Sequence, residues 1–278
     1  LAQRGASCGA DVFLHSEVPI GAGLSSSAAV EVALAYALSA ETGLALGPIE
    51  LAQLCQRASH EFASTRCGIM DLYIACEGRA GHIARLDTRS LEARWLAWPS
   101  AAGLLVCDSG VRHQHAGGGY NQRRAECEAA VAALSGRYAD LHSLRDLDLR
   151  QLESARATLD PALFARARHV VSENARVLAA AEALERADFP ALGAALNASH
   201  ASLRDDYQVS CPELDRLAAL CQRHPGVWGA RMMGGGFGGC VLALAEPAAL
   251  PALEASLAGS CARASLRVHP GAGAARLC

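Results

Sequence analysis

From Asp11 to Val18 apolar and polar residues alternate, the period of a strand with one covered face, and the run ends in a glycine-rich turn. Ser27 to Leu38 follows with Glu31 as its one charged residue, so a helix buried nearly all round is expected. Pro48 to Phe62 has the spacing of a second helix, and Cys67 to Cys76 that of a turn entering a short one. Gly81 to Leu86 and Leu91 to Trp98 are expected strands around a turn at Asp87 to Ser90, and Leu104 to Cys107 a short buried strand. Tyr120 to Leu134 predicts a helix with Tyr120, Cys127, Val131 and Leu134 on one face and an i,i+4 pair, Arg124 with Glu128. Asp160 before Pro161 marks a helix start, after which Leu163, Phe164, Val170, Val171, Val177 and Leu178 keep helical spacing. Pro190 to Leu203 and Pro212 to Cys221 add helices. Gly229 to Met233 and Cys240 to Leu244 are strands joined by a glycine turn, and Ala262 to His269 a last strand.

Strands that do not strictly alternate with helices define an α+β class. The weakest pattern, Gly136 to Thr158, suggests a connector, and the chain is expected to divide into residues 1–110 and 111–278.

Composition narrows the chemistry. Half the residues are apolar, enough for a real core, and no apolar run is long enough to cross a bilayer. A net charge of -3 argues against a nucleic-acid surface. Eleven cysteines without a C-x-x-C pair fit reduced, mostly buried thiols in a cytoplasmic protein. Every basic residue is arginine. A Walker loop, a Schiff base and a protein-kinase strand lysine are thereby all excluded.

One loop carries anion chemistry without lysine. Pro19-Ile20-Gly21-Ala22-Gly23-Leu24-Ser25-Ser26-Ser27 stands between the expected strand and helix. Its glycines permit close backbone approach, and the helix start offers free N–H groups and the positive end of the dipole. The serine hydroxyls can bond phosphate or reach Mg²⁺. A second loop, Gly234 to Gly239, has more glycines than a hairpin needs, which suggests close approach to a ligand.

The first loop resembles the second motif of the superfamily named for galactokinase, homoserine kinase, mevalonate kinase and phosphomevalonate kinase. Three segments narrow the resemblance to the galactokinase family: Cys67-Gly68-Ile69-Met70-Asp71; Gly119-Tyr120-Asn121 with Arg123 to Glu128; and His200 to Asp206. Met233 to Cys240 is similar to the third superfamily motif. The likeness runs from about Ala10 to about Leu244. It implies a two-domain sugar-kinase fold. Residues 1–110 would be the remainder of a nucleotide- and sugar-binding domain and 111–278 a C-terminal domain. It implies transfer of a phosphoryl group from ATP to the anomeric hydroxyl of α-D-galactose, with Mg²⁺. By resemblance Asp71 is the catalytic carboxylate, and Gly68 and Tyr120 join it at the sugar. Gly21, Gly23, Leu24, Ser25, Ser26, Ser27, Arg112, Gly235 and Gly236 would meet ATP, and Ser26 and Ser27 the metal. His200 to Asp206 reads as a helix end with charged caps.

The sequence departs from the family pattern in three places. Leu72 stands where glutamine usually follows the aspartate, and Ser59 where a metal-binding glutamate is usual. The family's first motif, which grips the sugar, has no counterpart here; on that ground the chain as it stands is expected to have negligible kinase activity. A kinase for a related sugar, an inactive ATP- and sugar-binding homologue and a truncated gene product stay open. Oligomeric state is not legible.

Overall fold

A computed structural model describes residues 9–112, 116–258 and 260–276. The chain forms two compact units, Leu1–Trp98 with His269–Cys278, and Pro99–Val268.

The first unit holds α1 (Ser26–Glu41), α2 (Pro48–Phe62), α3 (Met70–Glu77) and an antiparallel pair, β1 (His82–Leu86) and β2 (Ala93–Ala97). Ala28 and Val32 of α1, Ala52 and Cys55 of α2, and Leu72 and Tyr73 of α3 form its core, with Leu86 and Trp95 packed against it. The C-terminal tail closes on this unit: Gly273 donates to Gly78 O and Ala274 to Ala75 O. Only glycine fits at 273, because a Cβ would lie 2.4 Å from Cys76 O.

Two expectations fail in this unit. Asp11 to Val18 contains no strand. Phe13 is 93% exposed, and Val12 and Leu14 are exposed beside it. Alternation is necessary for a half-covered strand, but a strand exists only with a ladder partner, and this segment pairs with none among the described residues. Nor is α1 buried nearly all round. Ala28, Val32 and Ser39 are buried, while Ala33, Tyr36, Ala37 and Ala40 are exposed. Its composition is dominated by alanine, which is apolar without demanding cover.

The second unit is built on an antiparallel sheet in the order β4-β5-β3-β6. Its strands are β3 (Gly103–Asp108), β4 (Val227–Met232), β5 (Cys240–Ala245) and β6 (Ala264–Val268). Register sets Leu105 against Ala243 and Val106 against Leu266. Among the described residues six α-helices complete it: α4 (Ala116–Leu134), α5 (Leu149–Ser154), α6 (Pro161–Glu185), α7 (Phe189–Asp205), α8 (Pro212–Arg223) and α9 (Leu250–Leu257). Leu214 and Leu217 of α8 and Leu253 and Leu257 of α9 bury against Leu105, Met232 and Val241 of the sheet. A second core joins Leu134 of α4, Leu152 of α5, and Phe164 and Val171 of α6.

The segment Gly136 to Thr158 is therefore no connector. Four of its five leucines, Leu141, Leu144, Leu147 and Leu152, are buried in that second core, while Leu149 is exposed. Two capping boxes, Ser143 with Asp146 and Asp148 with Gln151, start its short helical turns. Helix α9 has no counterpart in the sequence reading; its Leu250, Leu253 and Leu257 spacing lies behind two prolines. Along α6 the expected apolar stripe stops at Val171. Val177 and Leu178 are exposed, and Arg166 and His169 are buried instead. Asp160 caps α6 as expected, accepting from Ala162 N–H at 2.8 Å. Among the described residues no helix is long and apolar enough to cross a membrane.

Candidate functional site

In the first unit the loop ahead of α1 is wound by positive φ angles at Gly21 and Gly23 and also at Ser25 (φ 56°). Left-handed backbone costs a serine about 1–2 kcal/mol, so something must hold it there. Ser25 occupies the N-cap of α1 but makes no side-chain cap. Its hydroxyl donates instead to Asp71 Oδ2. The helix start is thus left for another acceptor, with Ser26 half-buried and Ser27 exposed beside it. Leu24 is half-buried, and Gly68 lies exposed in the turn ahead of α3. Asp71 is not an N-cap; Ile69 is, and Asp71 sits in the first turn of α3. Loop serine and carboxylate, 46 residues apart, are brought together.

Ser59 is buried in α2, and its hydroxyl lies 2.7 Å from each oxygen of the Glu31 carboxylate. A carboxylate does therefore stand at this place, delivered from α1 rather than α2. Glu31 was the one charge in an apolar helix, and that isolation was the signal. Among the described residues no group of three or more His, Cys, Asp or Glu side chains could hold a metal. Mg²⁺ does not require one, since it keeps several waters and takes one or two carboxylates with substrate phosphate. Hydroxyls of Ser26 and Ser27 with the Glu31 carboxylate are hard oxygen donors that fit it.

In the second unit the loop Gly234 to Gly239 joins β4 to β5. Gly234, Gly236, Gly238, Gly239 and also Phe237 have positive φ. Its path is pinned on three sides. Phe237 N–H donates to Val209 O at 2.6 Å, and Gly239 N–H to Val111 O at 3.0 Å; Ser109 Oγ donates to Gly239 O at 2.6 Å. A Cβ on Gly236 would lie 2.3 Å from Val209 O, so at this position glycine serves protein packing. Gly235 is exposed, with Tyr120 Cδ2 3.5 Å from where its Cβ would be. Tyr120 stands in the second turn of a helix that begins at Ala116, earlier than expected. Gly119 accommodates the Phe237 ring, which would be 2.7 Å from an added Cβ. Arg112 forks onto Asp108 at 2.7 and 2.6 Å, and the guanidinium holds that carboxyl below its usual range.

His200 is buried, and its Nδ1 accepts from Met232 N–H at 3.2 Å on the edge strand β4. Nε2 faces Asp215 Oδ1 at 3.3 Å, close enough for attraction but not aligned for a hydrogen bond. Asp206, at the end of α7, pairs with Arg168. The segment thus serves architecture, as expected. All nine described cysteines are free, four of them buried; Cys8 and Cys278 lie outside the described residues. Burial pushes the Cys55 and Cys240 thiols to about 12, which leaves them unreactive.

A model of the GHMP kinases N terminal domain matches residues 1–79, and one of the GHMP kinases C terminal region matches 180–262. Fold and loops together place the chain in the class of GHMP kinase domains. The galactokinase of Chloroflexus aurantiacus is 46% identical over 263 residues, 94% of this chain and 67% of that protein. Human galactokinase is 46% identical over 246 residues, 87% of this chain and 61% of that protein. The crystal structure of Lactococcus lactis galactokinase complexed with galactose matches at TM-score 0.90 and 31% identity, covering 94% of this chain and 69% of that one. The chain belongs to the galactokinase family. It spans between 61% and 69% of the length of these three proteins.

Proposed function

We propose that the protein to which this chain belongs is a galactokinase, moving the γ-phosphoryl group of ATP to the anomeric hydroxyl of α-D-galactose to give galactose 1-phosphate and ADP. The contact between Ser25 and Asp71 carries the reading, because it ties a phosphate-type loop to a carboxylate within one unit. Residues 1–110 and 111–278 are the proposed functional halves, although packing divides the chain near residue 98. Abundant free thiols favour a reducing, cytoplasmic setting.

In this reading the backbone of Gly21, Gly23 and Leu24 and the start of α1 take the phosphates of ATP. Ser25 keeps the Asp71 carboxylate in one orientation by donating to Oδ2. The carboxylate retains lone pairs to accept the sugar hydroxyl's proton as the new O–P bond forms. Within the first unit Gly68 joins Asp71 at the sugar; in the second unit the family resemblance alone assigns Tyr120 to sugar and Gly235, Gly236 and Arg112 to nucleotide. Mg²⁺, held by Ser26, Ser27 and Glu31, would neutralise phosphate charge during transfer.

The test is ADP release from ATP and galactose by the full-length protein to which this chain belongs, as wild type and as Asp71→Asn. Asparagine still accepts from Ser25 but cannot take a proton. Turnover is expected to fall by about 10²–10⁴ with ATP affinity unchanged within about twofold. Retained turnover in the variant removes Asp71 from its role. Wild-type turnover with another sugar in place of galactose overturns the substrate.

A further inference from the structure

Behind the Gly234–Gly239 loop lies a buried charged network that no part of the proposed reaction uses. Arg166 of α6 is 4% exposed. Its Nε donates to Glu126 Oε2 at 2.7 Å, Nη1 to Asp206 O, and Nη2 to Gln208 Oε1 at 2.8 Å. Arg123, on α4, completes the set. Its Nη1 reaches both oxygens of Glu126 at 2.9 Å, its Nε donates to Tyr207 O at 2.7 Å, and its Nη2 to Gln208 O at 3.2 Å. Three consecutive carbonyls, 206 to 208, therefore accept from two arginines that share one glutamate.

That stretch is irregular backbone at the end of α7, with Gln208 at a φ of 55°. A non-glycine residue stays left-handed only where its surroundings over-determine it. The next residue, Val209, is the one on which the glycine loop rests, through Phe237 N–H and the close approach of Gly236. Arg123 also lies 6.0 Å from the centre of the Phe237 ring. A single path of hydrogen bonds and packing thus leads from Glu126 through both arginines to residues 206–209 and on to Gly236 and Phe237.

We propose that Arg123, Arg166 and Glu126 are positioning residues that set the conformation of the Gly234–Gly239 loop and through it the affinity for nucleotide. The second half of this statement rests on the reading of that loop as part of a nucleotide site; the first half does not. A surface-charge explanation does not fit the arrangement. Arg166 is too deeply buried to be a solvated charge, and its donors are spent on backbone and side-chain acceptors of one segment.

The test variant is Arg123→Met, because Glu126 keeps Arg166 as its partner and no buried carboxylate is stranded. Leu253→Ala, in the sheet core of the same unit, serves as the control for lost stability. Two readouts are taken on the full-length protein to which this chain belongs. The first is hydrogen exchange in a peptide spanning residues 233–240, which reports on the Phe237 amide. The second is calorimetric titration with ADP. In Arg123→Met exchange at this peptide is expected to quicken by about tenfold or more, from the loss of hydrogen bonds to a charged group, and the ADP dissociation constant to rise by about the same factor. Leu253→Ala is expected to lower the melting temperature without either change. Arg123→Lys restores one charged donor and is expected to fall between wild type and Arg123→Met. Exchange at the peptide that quickens no more than in Leu253→Ala overturns the positioning role. Faster exchange with unaltered ADP affinity overturns the link to nucleotide. If the full-length wild type binds no ADP, the reading of the loop fails, and the exchange result still decides the network.

Discussion

Single residues in this chain do work that their type conceals. His169 is a case with a measurable consequence. It is buried on α6, stacks on Tyr207 with ring centres 4.4 Å apart, and its Nδ1 lies 3.0 Å from Ser202 Oγ. Burial pushes its pKa from 6.5 to about 4; Glu173 and Asp206 oppose this and Arg176 and Arg231 add to it. The folded state thus holds the ring neutral where the unfolded chain would protonate. Stability from this residue is fully present above about pH 6.5 and is lost as pH falls toward 4. At the lower end the loss is on the order of 3 kcal/mol. His200 is shifted in the same direction, also by burial first, and adds to the slope. Urea unfolding at pH 7, 6, 5 and 4.5 is expected to show stability declining through this window. His169→Gln is expected to flatten the decline; an equal slope in that variant assigns the acid sensitivity elsewhere. At this scale the sequence was informative about loops and poor about buried charge. Gly21 and Gly23 were read as permitting close backbone approach, and both take positive φ angles. Nothing in the local pattern announced that Ser25 shares them, or that Arg166 turns inward, because both depend on partners 40 or more residues away.

Among the elements, the pairing of α7 with β4 shows how an edge strand is covered. Ala230 N–H donates to Asn197 Oδ1 at 2.9 Å and Met232 N–H to His200 Nδ1 at 3.2 Å. Two outward amides of the sheet edge are thereby satisfied by side chains of one helix, which blocks pairing with another chain. The helix gets this close through two glycines. A Cβ on Gly193 would lie 2.2 Å from Trp228 O, and one on Gly229 would lie 2.2 Å from Gly193 O. Neither obstacle is a flexible side chain. Gly229→Ala is accordingly expected to cost about 3 kcal/mol or more, read as a lower urea midpoint, by forcing helix and strand apart. A loss under about 0.5 kcal/mol, the size of an ordinary surface change, would mean the backbones separate freely. The spans of most helices and strands were legible from period and punctuation: α2 runs from Pro48 to Phe62 as expected, and β5 keeps its start at Cys240. Asp11 to Val18 misled because period reports a covered face and says nothing of a ladder partner. Helix α9 went unread, although its prolines at 247 and 251 both fall at helix starts, where the missing N–H costs nothing.

Across the whole molecule, what escaped the sequence is closure over long range. The return of residues 270–274 to Gly78 and Gly81 has no local signature, since it is made of backbone bonds from an irregular tail. The second unit poses a sharper question, because among the described residues one apolar core lies on the sheet with α8 and α9 and another among α4, α5 and α6. Two cores could melt apart. What ties them is polar and buried. Glu173 of α6 accepts from Ser199 of α7 and from Arg231 of β4; Ser202 of α7 reaches His169; Arg166 holds residues 206 and 208. Opening either core would strand charges that the other half keeps buried, and an uncompensated buried charge costs several kcal/mol. The cores should therefore unfold together. Residues 99–268 expressed alone are expected to fold and to melt in one transition, with near-ultraviolet and far-ultraviolet dichroism coinciding. Glu173→Gln is expected to weaken this coupling, because the amide keeps its shape but loses the charge facing Arg176 and Arg231. Two separate transitions in the wild-type fragment would show that the polar layer joins the cores without making them cooperative.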